Sequence, residues 1–188
     1  MRNFMFDICF CFLFVILLFF FYIFSIYNSL IELRNQIYKS WANVDVLLKK
    51  RADLIPNLVE VVQSYAKHEK TILNELTALR SQLINVQSIP KKAQINKRLD
   101  NLLHLLFIVS ENYPKLRASE NFSKLHDELV LLENQIADRR EFYNNSVYLF
   151  NTRIHSFPDL IIAKLLGMKD FEYFKVEEEK QNVDINAD

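Results

Sequence analysis

The chain has 188 residues, sets 23 basic side chains against 23 acidic ones, and is 51% hydrophobic. That balance removes any overall electrostatic reason to bind nucleic acid. A single glycine, Gly167, leaves few of the positive-φ positions that hairpins, bulges and phosphate-binding loops require, so the expected fold is all-α.

The first element is ICFCFLFVILLFFFYIFSIY, from Ile8 to Tyr27, which carries no charge. The first charged side chain after Ile8 is Glu32, and the 24 uncharged positions between cover about 36 Å as a helix, enough for a hydrocarbon layer of about 30 Å. A lone strand would leave its backbone groups unpaired in lipid, so a single membrane-spanning helix is expected, with lipid as the partner of residues 8–27. No small-residue cleavage site follows the apolar run, which reads as a retained anchor. Cys9 and Cys11 lie early in that run and read as free thiols behaving as small hydrophobes. With no other cysteine, the polar part of the chain has no material for an internal disulfide or a cysteine metal site. Residues 1–27 are thus assigned to the N-terminus and membrane helix, 28–174 to a helical bundle, and 175–188 to an acidic tail expected to be disordered.

Past the span, Leu30, Leu33, Ile37, Trp41, Val44 and Leu48 recur every three or four residues and predict the first bundle helix. Lys49, Lys50 and Arg51 suit a helix C-terminus, Asp53 suits the cap of the next helix, and Pro56 suits its first turn, so the reading places a tight reversal at Arg51 to Asp53. The second helix carries Leu58, Tyr65, Ile72, Leu79 and Val86 in one heptad position and Val62, Leu76 and Leu83 in its partner, with Glu69 between them. Ser88, Ile89 and Pro90 interrupt the pattern before a third stripe through Ile95, Leu99, Leu102, Leu106, Val109 and Tyr113, which ends at Pro114. Ser119 is read as the cap of a long fourth helix striped by Phe122, Leu125, Leu129, Leu132, Ile136, Tyr143, Val147, Phe150 and Ile154, stopped by Phe157-Pro158. Short connections between striped helices predict an antiparallel, up-and-down four-helix bundle.

Chemistry-bearing motifs are not found. His68-Glu69 begins like H-E-x-x-H, but Ile72 stands where the second ligand belongs. No histidine has a glutamate three positions earlier, since Tyr65, Asn101, Ser123 and Thr152 precede His68, His104, His126 and His155. One glycine makes neither a Walker loop nor a Rossmann turn. Trp41 reads as core packing. Glu69 reads as a buried polar group fixing register through a partner such as Arg139 or Arg140, or as a binding carboxylate. The pairs Asn28/Asn35 and Asn144/Asn151 are seven apart and read as interhelical hydrogen-bond positions, and Tyr113 as a ring whose hydroxyl reaches a neighbouring helix. Arg51, Asp53 and Asn57 form a docking candidate at the reversal, with helix capping as the alternative.

YNSLIELRNQ (27–36), WANVDVLLKKRADLIPNLVEVVQSYAKHE (41–69), ENYPKLRASENF (111–122) and ENQIADRREFYN (133–144), in that order and behind an apolar anchor, resemble the signature blocks of the LemA family. The resemblance runs from about Tyr27 to Phe174. It implies a bacterial envelope protein with one N-terminal membrane helix, a short N-terminus outside and a long helical bundle, and it carries no established catalytic residues. The resulting expectation is a non-enzymatic interaction or scaffold module in the bacterial cell (inner) membrane, without catalytic, cofactor-binding or metal residues and without a cofactor. The alternatives are an accessory to, or cryptic enzyme of, an envelope-stress or proteolytic system, and a self-assembling, membrane-shaping rod. Protein partners are undefined, and homo-oligomerisation stays open. Arg2 alone precedes the span, whereas Arg34, Lys39, Lys49, Lys50 and Arg51 follow it, which predicts a cytoplasmic bundle. The Ser88 to Arg98 connection, with Lys91 and Lys92, is expected at the lipid headgroups. The segment Pro158 to Lys169 either lies along the same surface or folds back on the bundle.

Overall fold

The computed structural model describes residues 2–175 and is helical throughout its regular structure: α1 Arg2–Tyr65, α2 Lys70–Asn85, α3 Ile89–Ser110, α4 Pro114–Arg117, α5 Glu120–His155 and α6 Asp159–Leu165. No strand occurs among the described residues, in keeping with the all-α bundle expected. The tail reading for 176–188 and the side chains of Cys9 and Cys11 lie outside the described residues.

α1 contains the apolar stretch and is long and apolar enough to cross a membrane. From Phe12 to Phe24 every side chain except Ile23 is exposed, the pattern of a helix whose solvent is lipid, and burial starts only at Ile26. α1 is therefore a candidate membrane span.

The reversal expected at Arg51 to Asp53 does not occur, because α1 runs on to Tyr65 with Pro56 inside it. Its apolar stripe simply continues, through buried Leu48, Ala52, Ile55, Leu58 and Val62. A proline inside a helix leaves the carbonyl four residues earlier without its N–H partner. Here that carbonyl is Ala52's, and the Arg80 side chain supplies the missing donor, Nε to O at 2.9 Å. The first break falls instead at Ala66 to Glu69, where the Glu69 N–H bonds the Ala66 carbonyl. The second predicted helix is thus divided between the end of α1 and α2. Across the break the face is reset: Leu73, Leu76, Leu79 and Leu83 are buried, Ile72 is half-buried and Tyr65 is exposed.

The residues divide into two compact units, one of Met1–Ala42 with Phe142–Phe171, the other of Asn43–Glu141 with the residues from Glu172. In the first, Ile26, Leu30 and Ile37 of α1 and Tyr143, Val147, Phe150 and Ile154 of α5 form the buried stripes. Trp41 lies at the stripe's edge, half-buried, with its ring 5.5 Å from that of Tyr143. Asn151 holds the chain that follows α6 by a two-way amide pair: its Nδ2 donates to the Phe171 carbonyl and its Oδ1 accepts from the Phe171 N–H, both at 3.0 Å. The Phe171 ring then stands edge-on to Tyr38 and Phe150. Of the four asparagines singled out, Asn151 therefore makes a long-range hydrogen bond, whereas Asn28 and Asn35 are exposed. In the second unit α2 packs on α3, and the core draws on Leu58, Leu76, Leu99, Leu103, Leu129 and Ile136 among others.

Candidate functional site

The most unusual feature of the second unit is an arginine in its core. Arg51 sits three residues after Leu48 and four before Ile55, so the stripe that buries those leucine and isoleucine side chains buries the guanidinium too, leaving the residue 1% exposed. α3 answers it with two polar residues one turn apart. Arg51 Nη1 donates to Asn96 Oδ1 at 3.1 Å and pairs with the Asp100 carboxylate, while Asn96 Nδ2 donates to the other Asp100 oxygen at 3.1 Å. Burial pushes the Asp100 carboxyl above its usual range, Arg51 opposes that shift, and the nearby Glu133 charge adds to it. Arg51 Nε is buried without a hydrogen-bond partner.

Arg51 also forms part of the lining of a pocket of about 380 Å³ whose other walls come from α3, the α3–α5 connection and α5. Polar groups converge there from His104, Ser110, Glu111, Arg117, Ser123, His126 and Glu133, alongside the apolar surface of Leu103, Phe107, Ile108, Phe122, Leu129 and Val130. The His126 ring packs edge-on against Phe107 at 4.3 Å, and Arg117 lies 3.6 Å from Glu111. Ile108 and Val130 leave large apolar surface open to solvent. No group of three or more His, Cys, Asp or Glu side chains placed to hold a metal ion is found among the described residues.

Two further polar contacts tie this unit. Lys92, 6% exposed, pairs with Asp45, which also accepts from Lys49 at 3.1 Å. Burial raises the Asp45 carboxyl, but the hydrogen bonds and charges of the two lysines outweigh it and hold the group below its usual range. Tyr113 donates its hydroxyl to Glu69 Oε1 at 2.9 Å, which raises the phenol and joins the α1–α2 corner to the start of α4.

Several sequence expectations are corrected by this geometry. Glu69 takes Tyr113 as its partner, not Arg139 or Arg140, and it is half-buried. Arg51, Asp53 and Asn57 do not make one docking surface, since Arg51 is internal while Asp53 and Asn57 are exposed on a continuous helix. Lys92, expected at the headgroups, is buried and engaged by Asp45. The polar members Asn96 and Asp100 are not singled out by the sequence. Their signal is present in it, because Lys92, Asn96, Leu99, Leu103 and Leu106 keep helical spacing and the stripe simply turns polar toward its start.

Fold and site together define a membrane-anchored helical bundle with an internal polar clamp beside a mixed apolar and charged pocket. The chain belongs to the LemA family, whose profile matches residues 40–186. Among curated proteins it is similar to magnetosome proteins MamQ 1 and MamQ 2 of Paramagnetospirillum magneticum, each 25% identical over 175 residues that cover 79% of this chain and 64% of the relative. It is also similar to Protein LemA of Metamycoplasma hominis, 24% identical over 159 residues covering 84% of this chain and 73% of that protein. The chain spans less than two thirds of the length of the MamQ relatives it matches.

Proposed function

We propose that this protein is a non-catalytic interaction module held at a bacterial membrane by α1, with its bundle on the cytoplasmic side. The pocket carries this reading. Exposed apolar side chains, Ile108 and Val130, set among the polar groups of His104, Ser123, His126 and Glu133 are the combination that recognises a protein segment presenting one apolar side chain and a hydrogen-bonding group. The surrounding charges are of both signs, which fits selective recognition of a segment more than capture of a highly charged ligand. The cytoplasmic assignment rests on Arg34 and Lys39 close behind the span, against Arg2 before it.

A photocrosslinking amino acid placed at Ile108 of the full-length protein in living cells tests the pocket, with the exposed Lys50 position as the comparison. A discrete adduct from position 108, absent from position 50 and lost with Val130→Glu, is the expected result. No adduct, or the same adducts from both positions, contradicts the reading. An adduct of twice the chain's mass from position 108 assigns the pocket to a second copy.

A further inference from the structure

We propose that α6 and the residues on either side of it are a second membrane contact, resting in the headgroup layer beside the point where α1 leaves the bilayer. The geometry of the first unit carries this. α5 runs antiparallel to α1 there: Tyr143 stands against Trp41, and the Phe171 ring bridges Phe150, further along α5, to Tyr38, earlier on α1. Ile154 is eleven residues beyond Tyr143, which at 1.5 Å per residue brings it level with Leu30, and α5 ends one residue later. The connection to α6 therefore falls at the level of Ile26 and Tyr27. That is where burial of α1 begins, and where Tyr22 and Tyr27, both exposed, mark the aromatic belt of a membrane edge.

α6 has one buried and one exposed side. Asp159 and Ala163 are buried, with Asp159 paired to Arg153. Ile161 and Leu165, spaced by four, stand out on the opposite side at 53% and 82% exposure, Leu166 extends the row, and Phe157, just before the helix, is 81% exposed. Lys164 and Lys169 are exposed beside them. An apolar row flanked by lysines suits the boundary between acyl chains and anionic headgroups. What identifies lipid as the cover is continuity: the row follows the end of α5, at the level where the exposed apolar surface of α1 ends. A second bilayer contact at the end of the span would fix how the first unit leans on the membrane.

Fluorescence quenching in vesicles tests this with the full chain. Trp41, the one native tryptophan, is replaced by Trp41→Phe, and Leu165→Trp or Phe157→Trp is added; both sites are so exposed that neither change disturbs packing. Val46→Trp, at an exposed apolar site further along α1, is the control. Vesicles contain phosphatidylcholine and phosphatidylglycerol, with bromine at a shallow or a deep position of the acyl chains. The expected result is that Leu165→Trp and Phe157→Trp lose most of their fluorescence to shallow bromine and less to deep bromine, while Val46→Trp keeps its intensity with either. Quenching of Leu165→Trp and Phe157→Trp no stronger than that of Val46→Trp overturns the proposal. So does protection that grows with the protein-to-lipid ratio, which would place a second copy over the row.

Discussion

Arg80 on α2 donates a hydrogen bond to the carbonyl of Ala52 on α1, the acceptor that Pro56 leaves without a helical partner. This bond removes the penalty of an unpaired buried carbonyl at the proline and ties α2 to α1. Arg80→Met should therefore cost about 1–3 kcal/mol. In a Pro56→Ala background, where the helix regains a backbone N–H at that position, the same change should cost less. Thermal melts of the four proteins in detergent measure the difference, and equal losses with and without Pro56 would break the link.

This contact explains why no reversal occurs at Arg51. Pro56 and the preceding KKR run carry the signals of one helix ending and another beginning, and both signals are local. What overrides them is tertiary: a guanidinium 28 positions beyond Ala52 in one case, and α3 carboxylate and amide groups receiving Arg51 in the other. The apolar stripes, the anchor and the stops at Pro114 and Phe157-Pro158 are legible in the sequence because each is set by neighbours a few residues apart. The pocket is not, because its lining is assembled from separated helices whose polar members each look like ordinary surface.

Removing Arg51 should be among the most damaging single changes in the second unit. Arg51→Met strands Asp100 and Asn96 beside a core, at about 3–5 kcal/mol. Asp100→Asn should cost much less, because burial already disfavours the carboxylate and the amide keeps a hydrogen-bonding oxygen for Arg51. Chemical denaturation of both variants gives the ranking, and an equal or larger loss from Asp100→Asn would contradict it.

The two aspartates should respond to pH with opposite signs. Asp45, whose folded value is lowered, stabilises the fold above the usual aspartate value of about 3.9, and that contribution is lost as pH falls through the folded value. Asp100, whose folded value is raised, favours the fold when protonated, so its contribution declines as pH rises from the usual value through the folded one. The stability gap between the native protein and Asp45→Asn should accordingly shrink on acidification. The gap between Asp100→Asn and the native protein should move the other way, with the native protein gaining on the variant as pH falls. Melting temperatures from about pH 3 to 7 span the usual aspartate value and check both signs.

Core truncations should follow burial and not the heptad. Leu73→Ala and Leu129→Ala, at sites 2% and 1% exposed, should each cost about 2–5 kcal/mol. Ile72→Ala, at a half-buried neighbour, should cost less, and His68→Ala, on the exposed corner, should stay within about 0.5 kcal/mol. A loss from Ile72→Ala exceeding that from Leu73→Ala would show that the face of α2 is turned.

The placement of the bundle is tested most directly by thiol labelling in intact cells. Asp53→Cys, an exposed site on α1, is made with Cys9→Ala and Cys11→Ala so that it carries the only thiol. A membrane-impermeant maleimide should leave this protein unlabelled in intact cells and label it once the membrane is permeabilised. Labelling in intact cells to the same extent as in permeabilised ones would put the bundle outside and contradict the account.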